Sequence, residues 1–130
     1  MSEYSAKVVW KRQPEEAFSD NKYSRGHSWK FDGGAVVAAS SAPSIVPPPY
    51  SVEANVDPEE AFIASLSSCH MLFFLAIAGK RGFVIDQYID NAIGIMEKDA
   101  ALGRILASDV RDHDSFAFYD VTQAPASDAP

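Results

Sequence analysis

The stretch VDPEEAFIASLSSCHMLFFLAIAGKRG, Val56–Gly82, decides the architecture. Asp57 is a candidate N-cap. Pro58 follows at the first helical position, where a missing N–H costs nothing, and Glu60 stands three residues after the cap, where its carboxylate reaches back to the cap N–H. A helix is predicted from here to about Ala78, with Gly79 or Gly82 as its breaker and Lys80 and Arg81 against the negative end of its dipole. Phe62, Ile63, Leu66, Phe73 and Ile77 make one apolar stripe, and Met71, Leu72, Phe74 and Leu75 spread onto the other faces. A helix apolar nearly all round is expected to be buried.

In its middle stands Cys69, the single cysteine among 130 residues. Two readings of it are open. Free cysteine packs well as a small hydrophobe, which would make Cys69 inert filler. The alternative is a reactive thiolate, which needs a nearby positive charge. The helix dipole cannot provide that charge, because its effect fades within the first turn and Cys69 lies about three turns in. An arginine would have to.

Upstream, Tyr4–Trp10 reads as a strand, and HSWKFDGGAVVAAS as two strands around the Asp32–Gly34 turn. His27, Trp29 and Phe31 alternate with Ser28 and Lys30, so one face of that hairpin is apolar and the other wet. Prolines 43, 47, 48, 49 and 58 deny a regular ladder to the connector before the helix. Downstream, FVIDQYIDNAIGIMEK suggests a strand or two broken around Asp90–Ala92, and GRILASDVRD and SFAFYDV suggest short strands. The polar tail, 122–130, is expected to be flexible. One domain, 1–121, is the expectation from length.

Eleven Lys/Arg against eighteen Asp/Glu leave a net charge of -7, which argues against nucleic acid or an anionic membrane as the main partner. The longest apolar run, MLFFLAIA, falls short of the ~20 residues needed to span a bilayer, and no apolar leader follows Met1, so a soluble cytoplasmic protein is expected. His27, His70 and His113 have no ligand spacing, so no metal is expected, and no motif calls for a cofactor.

The helix segment resembles the central-helix signature of the osmotically inducible protein C and organic hydroperoxide resistance family, Asn/Asp-Pro-Glu followed ten residues after the Glu by a reactive cysteine. YSRGHSWKFDGG resembles that family's early strand pair with its arginine. The resemblance covers about residues 4–98. It implies an α+β fold with an antiparallel sheet wrapped around a long buried central helix, in an intertwined dimer. It also implies reduction of organic hydroperoxides by Cys69 as nucleophile, with Arg25 keeping it a thiolate and Glu59 orienting Arg25. The family's second, resolving cysteine is absent here. The chain after GIMEKDA also departs from the family pattern, which implies a shortened or divergent C-terminal half. Recycling would then fall to an external thiol.

Other readings of the same residues stand beside this one. Glu59 is also a dipole partner, Arg25 a solvated loop residue, and His70, about 100° around the helix from Cys69, a packing residue. A non-catalytic dimeric binding or structural module is the runner-up, favoured by the missing resolving cysteine. A hydrolase built on Ser67 or Ser68 is weak, because SLSSC lacks the strand-turn-helix context of a nucleophile elbow. Ten helical residues separate Glu59 from Cys69 by about 15 Å along the axis and about 80° around it. Within one straight helix they cannot share a site, so either the helix bends sharply between them, with neither Pro nor Gly there to bend it, or the Glu59 beside each Cys69 belongs to a second copy. The intertwined dimer that the resemblance implies favours the second, with Arg25 expected from that same copy.

Overall fold

The computed structural model describes residues 1–99, 104–111 and 116–119. The expectation of a flexible 122–130 tail lies outside them. The chain divides into two compact units, residues 1–61 and 62–130.

The first unit carries β1 (Lys7–Val9), β2 (His27–Lys30) and β3 (Val36–Ala39) in an antiparallel sheet of order β1-β2-β3. Val8 faces Trp29, which faces Val37, so these three side chains share one face of the sheet. The β2–β3 turn closes with Phe31 donating to the Ala35 carbonyl at 3.0 Å and Gly34 to the Phe31 carbonyl at 3.0 Å. Gly34 sits at φ 97°, where a side chain would be strained, which is why the turn falls at Asp-Gly-Gly. The predicted Tyr4–Trp10 strand is shorter than its pattern, because only Lys7–Val9 finds partners on β2. The proline-rich connector is irregular as expected. Its end is tied to β3 by a single parallel bridge between Ala39 and Val56 and by the buried Ser40, whose Oγ accepts the Val52 N–H at 2.9 Å.

The helix α1 runs from Pro58 to Lys80 without a break. Its start is a reciprocal capping box: Asp57 Oδ1 accepts the Glu60 N–H at 2.8 Å, and Glu60 Oε1 accepts the Asp57 N–H at 2.9 Å. Its end is a Schellman turn. Phe83 donates to the Ala78 carbonyl at 3.0 Å and Gly82 to the Gly79 carbonyl at 3.1 Å, with Gly82 at φ 82°. Gly82 is therefore the breaker, and Gly79 belongs to the helix.

The expected burial of α1 is corrected in the single chain. Only Ile63 and Ala78 are buried, whereas Phe62, Leu66, Leu72, Phe73 and Ile77 are 42–66% exposed. An all-round apolar helix needs cover on every side, and one chain of this size leaves much of it bare. The helix is also more apolar than its longest uninterrupted run indicates. Before that run stand serines, Cys69 and His70, but no Asp, Glu, Lys or Arg occurs from Ala61 to Gly79, and by length and mean hydropathy (1.9) α1 is long and apolar enough to cross a membrane.

After α1, β4 (Ile85–Ile89) pairs antiparallel with β7 (Phe116–Tyr119), and β5 (Ile93–Asp99) with β6 (Arg104–Arg111). The break between β4 and β5 falls at Asp90–Ala92, where the sequence pattern places it. All the described strand ladders are antiparallel, and one helix accompanies them. Within the second unit Ser67 Oγ donates to Asp90 Oδ2, and Phe74 and Tyr88 rings meet at 5.6 Å, joining α1 to the β4 segment.

Candidate functional site

Cys69 is free and exposed. Burial as inert filler is thereby excluded for the single chain. Helical spacing gives it apolar neighbours on the same face: Phe62 seven residues before, Leu66 three before, Leu72 and Phe73 three and four after. All four are exposed with it. Whatever covers this face covers the thiol.

Glu59 occupies the first turn of α1, where a carboxylate suits the dipole. Its Oε2 is buried and has no hydrogen-bond partner among the described residues. A buried carboxylate oxygen without a donor is costly, so it marks a place where a cation is wanted.

Arg25 sits in the loop before β2, and its backbone N–H donates to the Tyr50 carbonyl at 2.8 Å. Its guanidinium lies 3.7 Å from the Tyr23 ring centroid, and Nη1 donates to the carbonyls of Asn21 (2.9 Å) and Tyr23. Neither Nε nor Nη2 has a partner among the described residues. Arg25 and Glu59, both within the first unit, therefore do not form the ion pair that the family resemblance implies. Each is left with unused capacity of opposite sign.

Arg25 also lines an open cleft of about 480 Å³ with Val8, Trp10, Phe18, Tyr23, His27 and Ser41. Its wall is an aromatic cluster in which Phe18 and Tyr23 stack at 4.8 Å and Trp10 meets Tyr23 edge-on at 5.5 Å. The loop making it is held by Trp10 Nε1–H donating to the Ser24 carbonyl at 2.9 Å and by Glu16, whose Oε2 accepts the Ser24 N–H at 2.6 Å. Sequence reasoning singles out Arg25 but misses Trp10, Phe18 and Tyr23 as its surroundings. Spaced at irregular intervals in a loop, they carry no periodic signal. Among the described residues no group of three or more His, Cys, Asp or Glu could hold a metal ion.

No family model and no curated protein matches the chain. Among solved structures, an OsmC-like protein of unknown function from Vibrio cholerae O1 biovar eltor is similar at 51% sequence identity and a TM-score of 0.87. The likeness covers 98% of this chain and 81% of that one. The chain belongs to the OsmC-like family. This agrees with the OsmC-like part of the resemblance drawn from the helix signature and with the mixture of one described helix and antiparallel strands. The activity of the relative is not known, so the chemistry of this OsmC-like chain has to be argued from its own residues.

Proposed function

We propose that the protein is a homodimeric, thiol-dependent peroxidase that reduces organic hydroperoxides through Cys69. The observation that carries this reading is the position of the thiol at the centre of an exposed apolar helix face. A second copy covering that face would make a water-poor site around the sulfur. It would also bring charges: Glu59 Oε2 lacks a donor, and Arg25 keeps Nε and Nη2 unused. Because α1 is unbroken, Glu59 and Cys69 of one copy stay about 15 Å apart along it. Each site then joins Cys69 of one copy to Glu59 and Arg25 of the other, an isologous arrangement that repeats itself.

In this site Arg25 favours the Cys69 thiolate, and Glu59 holds the guanidinium in place. The sulfur attacks the distal oxygen of ROOH, the S–O bond forms as the O–O bond breaks, and the departing alkoxide takes a proton to leave as ROH. Cys69 is left as the sulfenic acid. With no second cysteine in the chain, an external thiol condenses with it and releases water, and a second equivalent reduces the mixed disulfide. A reducing cytoplasm would supply that thiol. The aromatic lining of the cleft beside Arg25 favours organic over inorganic peroxides.

Titration with cumene hydroperoxide, followed by mass spectrometry with a sulfenic-acid trap, should give one oxidised Cys69 per chain and turnover only when a thiol is added. Mixing Cys69→Ser with Glu59→Ala protein should restore one intact site per heterodimer. An inert thiol in excess peroxide would leave the runner-up, a non-catalytic dimeric module, which the single cysteine favours. A monomer at micromolar concentration, or no rescue in a verified heterodimer, would remove the shared site.

A further inference from the structure

His27 lies on the cleft wall two residues after Arg25, and both of its ring nitrogens are engaged. Nδ1 is 2.7 Å from the Arg25 carbonyl oxygen, and Nε2 is 3.1 Å from Trp29 Nε1. An indole N–H can only donate, so Nε2 must be the nitrogen without a proton. A carbonyl oxygen can only accept, so Nδ1 must carry the proton and donate it. The two partners together select a single tautomer. Trp29 is itself held in the central strand, paired with Val8 on one side and Val37 on the other.

The consequence is a chain of contacts from the sheet to the arginine: β2 holds Trp29, Trp29 sets the His27 ring, and the ring holds the Arg25 carbonyl. Arg25 N–H is held on its other side by the Tyr50 carbonyl at 2.8 Å, and Gly26 N–H by Ser24 Oγ at 3.1 Å. The backbone of Arg25 is thus pinned on both sides. Its guanidinium rests on the Tyr23 ring and is held at Nη1 by carbonyls of its own loop, which leaves Nε and Nη2 as the groups free to bond a further partner.

We propose that His27 is a positioning residue for Arg25: through its Nδ1–H, with Trp29 setting the tautomer, it fixes the backbone from which the guanidinium is delivered to the thiolate site. This rests on the reading above that Arg25 activates Cys69. His27 touches no reacting atom.

The test compares Arg25→Ala, His27→Ala, His27→Asn, Trp29→Phe and the Arg25→Ala/His27→Ala double variant as full-length dimers, with fold checked by circular dichroism and assembly by sedimentation. The readouts are the pH profile of Cys69 alkylation by iodoacetamide and the rate of its oxidation by cumene hydroperoxide. Arg25→Ala should slow both at neutral pH by roughly tenfold or more, since an adjacent cation strongly favours the charged form. His27→Ala should slow them by about threefold or more through misplacement of Arg25. His27→Asn, whose amide N–H takes the place of Nδ1–H, should restore the rates, and Trp29→Phe should fall between. The double variant should be no slower than Arg25→Ala alone, because a residue acting only through Arg25 has nothing left to act on. If His27→Ala does not fold, His27→Gln, which puts its amide at the Nε2 position, replaces it. An unchanged Arg25→Ala protein would overturn the activation of Cys69 and this proposal with it. A slow Arg25→Ala beside a normal His27→Ala, a failed His27→Asn rescue, or additive losses in the double variant would overturn the positioning role alone.

Discussion

The loop from Trp10 to His27 and the helix α1 solve opposite problems. In the loop, side chains satisfy backbone: Trp10, Glu16, Ser24 and His27 each bond a main-chain group of the same short segment. In α1 the backbone is satisfied from cap to Schellman turn, while the side chains of Phe62, Leu66, Leu72 and Phe73 remain bare. Hydrogen bonds are short-range and close within one chain, whereas burial of an apolar face needs area on the other side. The loop meets its main-chain needs with its own side chains; the apolar face of the helix meets no such cover in one chain.

The largest expected effect breaks the second half of that contrast. Phe73→Asp puts a carboxylate on the bare face of α1. Each lost aromatic contact is worth about 1.5–3 kcal/mol and occurs twice in a symmetric pair, so dimer association should weaken by roughly a hundredfold or more, read by sedimentation equilibrium. Unchanged assembly would mean that a second copy does not cover this face. Binding of the unaltered protein to neutral lipid vesicles, lost in the variant, would assign the cover to lipid.

The two ends of α1 offer smaller tests. Gly82→Ala forces a side chain onto φ 82° and should cost about 1–2 kcal/mol, read from denaturant midpoints. Asp57→Ala removes one half of the capping box and should cost about 1 kcal/mol, with the Glu60→Gln variant losing less because its amide oxygen still accepts the Asp57 N–H. The smallest effect has the opposite sign. Gly79 is inside the helix, and a Cβ there meets nothing within 4 Å, so Gly79→Ala should stabilise by about 0.5–1 kcal/mol. A destabilised Gly79→Ala dimer would instead mean that the second copy packs closely against this turn.

Local signals carry the sequence a long way. Asp57, Pro58, Glu60 and Gly82 act on groups within a few residues of themselves, so both helix ends are legible in the chain itself. So are the hairpin at Asp32–Gly34 and the break at Asp90–Ala92, and the spacing from Glu59 to Cys69 points to the family. The candidate site is legible only as a set of residue types. Arg25, Glu59 and Cys69 can be named, yet nothing in their order along the chain tells that Arg25 rests on Tyr23 or that one oxygen of Glu59 is buried without a donor.

What the sequence determined by itself is therefore the helix with its ends, the strand pattern and the shared face of His27 and Trp29, because periodicity and capping are properties of neighbours. The tertiary structure alone decided that the apolar helix lies bare, that Cys69 is exposed, and that His27 holds the Arg25 carbonyl in one tautomer under a bond from Trp29. Exposure depends on which distant surfaces meet, and a tautomer on which atoms arrive within about 3 Å, and neither is a function of spacing along the chain.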